Sequence, residues 1–209
     1  MTDKQRPTPR YHHGDLRSAL LREAALLLRD DGVESLSLRR LAERTGVSRM
    51  APYHHFKDKH ALLCALASEG FRALDSMITE AQLAAGADLG HGLRDFVRAY
   101  LHFAMENPEQ YELMFGRAIW KNAEPTAELR DIAYHAFRHY AERIGALVSQ
   151  TRLPGSRPLR LAQASWATLH GLCKLMLDGI YVDRADMEEV SEEAVRLMVA
   201  VLGKPGPSP

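Results

Sequence analysis

Cysteine is almost missing from this chain. Cys64 and Cys173 are the only two in 209 residues, and no CxxC spacing occurs, which argues against a disulfide framework or a cysteine-held zinc site. Each sits in an apolar helical stretch and reads as a small buried hydrophobe; the alternative is a redox-sensing pair. Also absent is any apolar run near the ~18 residues that a membrane-spanning helix needs. The first ten residues, MTDKQRPTPR, are polar and hold two prolines, so no secretory leader is expected and the chain reads as cytoplasmic. No Gly-rich phosphate loop, HExxH, GxSxG or CxxC appears, so neither a catalytic constellation nor a cofactor is expected. His12, His13 and Asp15 look like a metal corner, but they offer ligands from one turn only; a helix start there is the plainer reading, and no metal is expected.

Net charge is absent too: 27 Lys+Arg balance 27 Asp+Glu. The balance hides an asymmetry. Residues 1–60 carry 12 Lys+Arg against 8 Asp+Glu, and the remainder carries 15 against 19, which places any nucleic-acid contact at the N-terminal end. What the chain does have is 46% hydrophobic residues, enough for a core, patterned at helical period throughout. No alternating strand pattern or internal repeat is visible, so the expected fold class is all-α.

The most informative stretch is 37–60, SLRRLAERTGVSRMAPYHHFKDKH. Ser37 is an N-cap candidate. Leu38, Leu41, Ala42 and Thr45 recur at i, i+3, i+4 and i+7, and Gly46 stands where a left-handed residue ends a helix cheaply. Ser48 then reads as the cap of a short second helix, with Pro52 in its fourth position slightly opening the first turn. A helix, a Gly turn and a second helix form a helix-turn-helix, whose second helix can enter a DNA major groove. Arg39, Arg40, Arg44 and Arg49, followed by Tyr53, His54, His55, Lys57 and Lys59, supply the cations and neutral donors that phosphates require. Arg49 and Met50, at the start of the second helix, are placed for base edges. Phe56 reads as core. The plain alternative is an amphipathic hairpin with a solvated basic face.

GVSRMAPYHHFKDKHALL resembles the end of the DNA-binding domain of the TetR (tetracycline-repressor) family of bacterial transcription regulators, and YHHGDLRSALLREAALLLRDDGVESLSLRRLAERTGVS resembles its first two helices. NPEQYELMFG at 107–116 and WATLHG at 166–171 resemble the C-terminal domain of a TetR branch with a Trp…His-Gly signature. Pro52 departs from the commoner Leu or Phe, although this branch often has Pro there. The resemblance implies a three-helix DNA-binding domain over 11–58 and a ligand-binding and dimerisation domain over 59–203. Its DNA-binding set becomes Ser37, Ser48, Arg49, Met50, Tyr53, His54, His55 and Lys59. The implied protein is a homodimeric repressor, joined through its last two helices, that holds a palindromic double-stranded operator and releases it on binding a small-molecule effector. An all-α enzyme or binding protein with a helix-turn-helix-like hairpin, and a non-specific DNA-binding protein, are the competing readings.

Helices are expected at about 15–31 and 59–85, the second roughly 40 Å long, with a break at Gly86–Gly92. Further helices are expected around 93–104, from Asn107-Pro108 to about 115, and at 126–149, 158–178 and 187–202. Residues 1–10 read as a mobile arm, either reaching a minor groove or without a role. Aromatic and Met residues of the larger domain, among them Tyr100, Phe103, Met114, Phe115, Trp120 and Tyr134, are mostly core. His102, Tyr111, Phe137, Trp166 and His170 are chosen as the effector-pocket set, because apolar walls with a few polar groups characterise small-molecule sites. His170-Gly171 reads equally as a close helix crossing. Leu169, Cys173, Leu177, Leu197 and Val201 are the expected dimer face. Glu188-Glu189 and Glu192-Glu193 are expected to face solvent.

Overall fold

The computed structural model describes residues 13–81, 89–121, 123–151, 157–180 and 183–202. These are mostly helical, with no strand among them. The expected N-terminal arm and residues 86–88 of the expected break lie outside the described residues, and the rest of that break, 89–92, is helical instead, in a helix that begins at Leu89.

The first helix, α1 (His13–Ser35), buries Leu20, Ala24, Leu27 and Leu28. It is interrupted at Gly32, where φ is 75°. A side chain would resist that conformation, so the expected stop is a break followed by one more turn, and the Ser35 hydroxyl donates to the Gly32 carbonyl at 2.8 Å. The second helix, α2 (Leu38–Thr45), starts as its sequence requires. Ser37 is extended and its hydroxyl accepts the Arg40 N–H at 3.1 Å. Gly46 closes it in the left-handed region, and the Val47 N–H donates to the Ala42 carbonyl at 3.1 Å.

The expected second helix of the hairpin is not an α-helix. Residues Ala51–His54 form one 3₁₀ turn, preceded by a tight turn and lacking a side-chain cap, so Ser48 does not cap it. Pro52 is the cause: it has no N–H for the Ser48 carbonyl. That carbonyl instead accepts from Ala51 at 3.0 Å, and Met50 accepts from Tyr53 at 3.1 Å.

Asp58 then caps α3 (Lys59–Glu80), accepting the Ala61 N–H at 2.8 Å. At 22 residues this helix is about 33 Å long. Two compact units divide after Leu66, so α3 contributes its first turns to one and the rest to the other. The N-terminal unit runs to Leu66, and Leu62, Leu63 and Leu66 at its end are buried.

The second unit continues with α4 (Leu89–Glu106), α5 (Pro108–Phe115), α6 (Arg117–Trp120), α7 (Ala127–Thr151), α8 (Pro158–Asp178) and α9 (Met187–Leu202). The last two have the expected bounds. Asn107 begins α5 through its carbonyl, which accepts from Tyr111 at 2.8 Å; its side chain turns back to the Phe103 carbonyl. The expected stripe Leu93, Phe96, Val97, Tyr100, Leu101 and Ala104 is fully buried, and α4 packs on α8 and α9. Glu188 keeps the expected exposure while pairing with Arg98 of α4, and Glu192 is half-buried where it pairs with Arg94. Leu169 and Cys173 are buried inside the subunit, whereas Leu197 and Val201 are exposed and Leu177 is half-buried.

Candidate nucleic-acid interface and effector groove

The Gly46 turn delivers the chain into a short exposed segment. Ser48, Arg49, Met50, Tyr53 and His54 are exposed there, with Met50 at 62% and Tyr53 at 46%, while His55 and Lys59 are half-buried. Pro52 and Phe56 are buried and anchor the segment from inside. The Lys59 ammonium donates to the Glu34 carbonyl at 3.4 Å, which ties the start of α3 to the end of α1. Ser37 is exposed, with its hydroxyl engaged as a cap. The structure therefore brings seven of the eight sequence-chosen residues onto one run, 48–59, and leaves Ser37 at the head of α2.

The arginines of α2 behave differently. Arg39 pairs with Glu43 at 3.1 Å, Arg40 with Asp31 at 2.7 Å and Arg44 with Glu23 at 2.6 Å. Glu23 holds the Arg44 guanidinium charged and pushes its pKa up. These three arginines of α2 are thus held by carboxylates of the same unit, whereas Arg49 and Lys57 lie exposed beyond Gly46. A contact invisible in the sequence is Arg17, whose guanidinium stands 5.7 Å from the centre of the Phe56 ring.

In the second unit an apolar groove of about 310 Å³ is lined by Phe71 of α3, Met114 and Phe115 of α5, Trp120 of α6, Ala133, Tyr134 and Phe137 of α7, and Trp166 of α8. The rings meet edge to face: Phe71 on Phe115 at 5.3 Å and 73°, Phe137 on Trp166 at 5.4 Å and 75°. Phe137 and Trp166, chosen from sequence, are in the wall.

Tyr111 and His170 are not. They sit behind Phe115, whose ring centre is 4.9 Å from that of Tyr111 and 4.7 Å from that of His170. The Tyr111 hydroxyl lies 2.7 Å from His170 Nδ1 and 3.1 Å from the Tyr100 hydroxyl. Burial pushes both tyrosine hydroxyls far above their ordinary range. Burial, and then the Lys174 charge, hold the His170 imidazole below its usual value against the opposing pull of Glu112. A neutral His170 can accept from Tyr111 while Tyr100 donates to Tyr111, so the polar chain is internally satisfied. Burial also pushes the Cys173 thiol up to about 12, which leaves it protonated and a poor redox nucleophile.

His102 departs furthest from expectation. It is exposed, pairs with Glu106 at 2.9 Å, and borders a separate hollow between α4 and α9 with Arg98, Met187 and Glu188. Gly171 does not serve a close helix crossing, because a Cβ there meets no atom within 4 Å. The wall residues passed over from sequence include Phe71, Phe115, Trp120 and Tyr134. Their aromatic character was visible, but not which face of which helix they share.

A Gly-turned helix hairpin that presents Arg49, Tyr53 and His54 to solvent, in a chain whose second, all-helical unit holds an apolar groove, defines the class of helix-turn-helix transcriptional regulators. Residues 20–66 match the family described as "Bacterial regulatory proteins, tetR family", and residues 93–202 match "Tetracyclin repressor-like, C-terminal domain". The chain belongs to the TetR family, whose members are DNA-binding transcription factors and not enzymes. Among curated relatives, the tetracycline repressor protein class C of Escherichia coli is 59% identical over 51 residues, 24% of this chain and 23% of that one. The HTH-type transcriptional repressor AcnR of Corynebacterium glutamicum is 35% identical over 98 residues, 47% of this chain and 45% of that one. The chain thus spans less than half the length of these curated relatives. A protein of unknown function from Rhodococcus sp. RHA1 superposes with a TM-score of 0.80 at 30% identity, over 95% of this chain and 100% of that one. The TetR family transcriptional regulator PfmR from Thermus thermophilus superposes with a TM-score of 0.63 at 24% identity, over 88% of this chain and 98% of that one. Among the described residues, no helix is long and apolar enough to cross a membrane.

Proposed function

We propose that this protein is a cytoplasmic, homodimeric repressor that binds a palindromic operator and releases it when a small molecule enters the groove of the second unit. The observation that carries the DNA-binding half is the exposed run Arg49–His54, held from beneath by buried Pro52 and Phe56. Tyr53, His54, His55 and Lys59 position the protein on phosphates, and Arg49 and Met50 read base edges. The names of the tetracycline repressor and AcnR relatives support repression rather than activation. Dimerisation is supported by large apolar side chains left exposed on the last two helices: Leu159 and Leu175 on α8, Leu197 and Val201 on α9.

Release follows from linkage. A second protomer places a second reading segment, and both engage only if their centres match one turn of duplex, ~34–36 Å. An occupant of the groove touches Met114, and the Met114 thioether packs so closely on Gly70 of α3 that a Cβ there would overlap it. Since α3 also forms part of the DNA-binding unit, an occupant that favours another pose of α3 weakens operator affinity, and operator weakens the occupant by the same factor.

The test is selection of binding sites from a random double-stranded pool by the full-length protein. Inverted repeats with half-sites about 10 base pairs apart, or a multiple of that, are expected. Enrichment of no sequence, or of direct repeats only, would overturn the reading.

A further inference from the structure

The groove has a chemistry of its own, and the ligand class it selects rests on its role as the effector site. Six rings form most of its wall: Phe71, Phe115, Trp120, Tyr134, Phe137 and Trp166. Among the described residues, no carboxylate, ammonium, guanidinium or imidazole lines it. Its polar atoms are few. The Trp120 indole N–H is already donated to the Met114 carbonyl at 2.6 Å. The Tyr134 hydroxyl belongs to a side chain that is 63% exposed, and the Trp166 indole N–H is the remaining donor. A charged ligand entering this space would leave its water with no opposite charge to replace it, and the cost of that transfer is far larger than for a neutral group. The volume of about 310 Å³ lies at the low end of the ~300–1,000 Å³ range of small-molecule pockets. Edge-to-face pairs such as Phe71–Phe115 and Phe137–Trp166 present both ring faces and ring edges to an occupant, the two surfaces that another aromatic ring contacts best.

We propose that the groove takes an uncharged, planar aromatic compound of one or two rings, and that it discriminates by charge more than by shape. An organic carboxylate is excluded for want of a cation in the wall. A lipophilic ammonium gains attraction from ring faces but finds no carboxylate, so it too binds more weakly than its neutral counterpart.

The chain supplies its own reporter, because Trp120 and Trp166 are its only tryptophans and both line the groove. The probes are 4-isopropylbenzyl alcohol, 4-isopropylbenzoate and 4-isopropylbenzylammonium, which share one skeleton and differ in charge at neutral pH. They are titrated against the full-length protein, with tryptophan emission excited where the phenyl ring does not absorb. The alcohol is expected to change the emission and to bind at least tenfold more tightly than either ion. Tyr134→Glu, at the exposed mouth, is expected to bring ammonium affinity up to or past that of the alcohol while weakening the benzoate further. Benzoate or ammonium equal to the alcohol in the unaltered protein would overturn the proposal, as would no emission change with any probe. Operator release is measured separately by fluorescence anisotropy. If the alcohol binds with the expected selectivity and the operator complex is unchanged, the ligand class stands and the effector reading falls.

Discussion

The Tyr111 hydroxyl and His170 Nδ1 are 2.7 Å apart, joining α5 to α8 across 59 residues of sequence. Tyr111 is 1% exposed, and its oxygen also meets the Tyr100 hydroxyl. Tyr111→Phe removes the middle of this chain and leaves two neighbours short of a partner. An unsatisfied buried polar group costs about 1–3 kcal/mol, so the variant should unfold at lower denaturant with an unchanged slope. An unchanged midpoint would show that water replaces the hydroxyl.

His170 makes stability depend on pH in a defined direction. Its folded pKa lies below the ordinary 6.5, so the unfolded chain takes up the proton first. Its contribution is therefore fully present above pH 6.5 and is lost as pH falls toward the folded value. His170→Gln, whose amide oxygen can accept from Tyr111, should flatten the decline below pH 6.5 relative to the unaltered protein. Parallel curves for the two proteins would assign the decline to other groups.

On DNA, Lys59 should act through its charge. Lys59→Ala is expected to weaken binding to all duplexes about equally and to reduce the slope of log affinity against log salt by roughly one. Anisotropy titrations on operator and unrelated DNA at several salt concentrations measure both effects. A selective loss on the operator would move Lys59 from phosphate to base contact.

Arg49 should act through sequence. Arg49→Ala is expected to cost about 1–3 kcal/mol on the operator, and less on a duplex altered at the contacted base pair. Equal losses on the two duplexes would place Arg49 on the phosphates.

The exposed apolar positions of α9 predict the assembly. Leu197, 65% exposed, carries no core role within the subunit. Leu197→Glu should therefore spare the fold and convert a particle of twice 23.4 kDa into one of that mass in sedimentation. An unaltered dimer would shift the interface away from this part of α9.

Much of the architecture was legible because it follows from neighbours in sequence. Ser37 and Gly46 bound α2 as their chemistry requires, and the apolar periods of 158–178 and 187–202 reproduce α8 and α9. The run 48–59, proposed to face DNA, was legible as one segment for the same reason, being contiguous. The misjudged second helix was a local matter too: a missing N–H at Pro52 outweighed the helical pattern around it. Less could be read about the effector set. Tyr111, Phe137, Trp166 and His170 all belong to one aromatic cluster, yet Phe115 divides it into a groove side and a polar chain. His102 stands one residue from Phe103, and only the rotation of α4 sends it to solvent.

Period and caps thus suffice for most of the helices, because each acts over a few residues, whereas the class rests on the motifs shared with the TetR family. Partnership between distant residues required the folded chain. Hydrophobic period says that Leu169, Cys173, Leu197 and Val201 avoid water, but not what covers them; packing put the first two inside the subunit and left the others exposed. Basic residues likewise count as charge until carboxylates of another helix meet them, as Glu23 meets Arg44 and Asp31 meets Arg40. Burial and pairing depend on contacts between helices, and those contacts exist only once the helices pack.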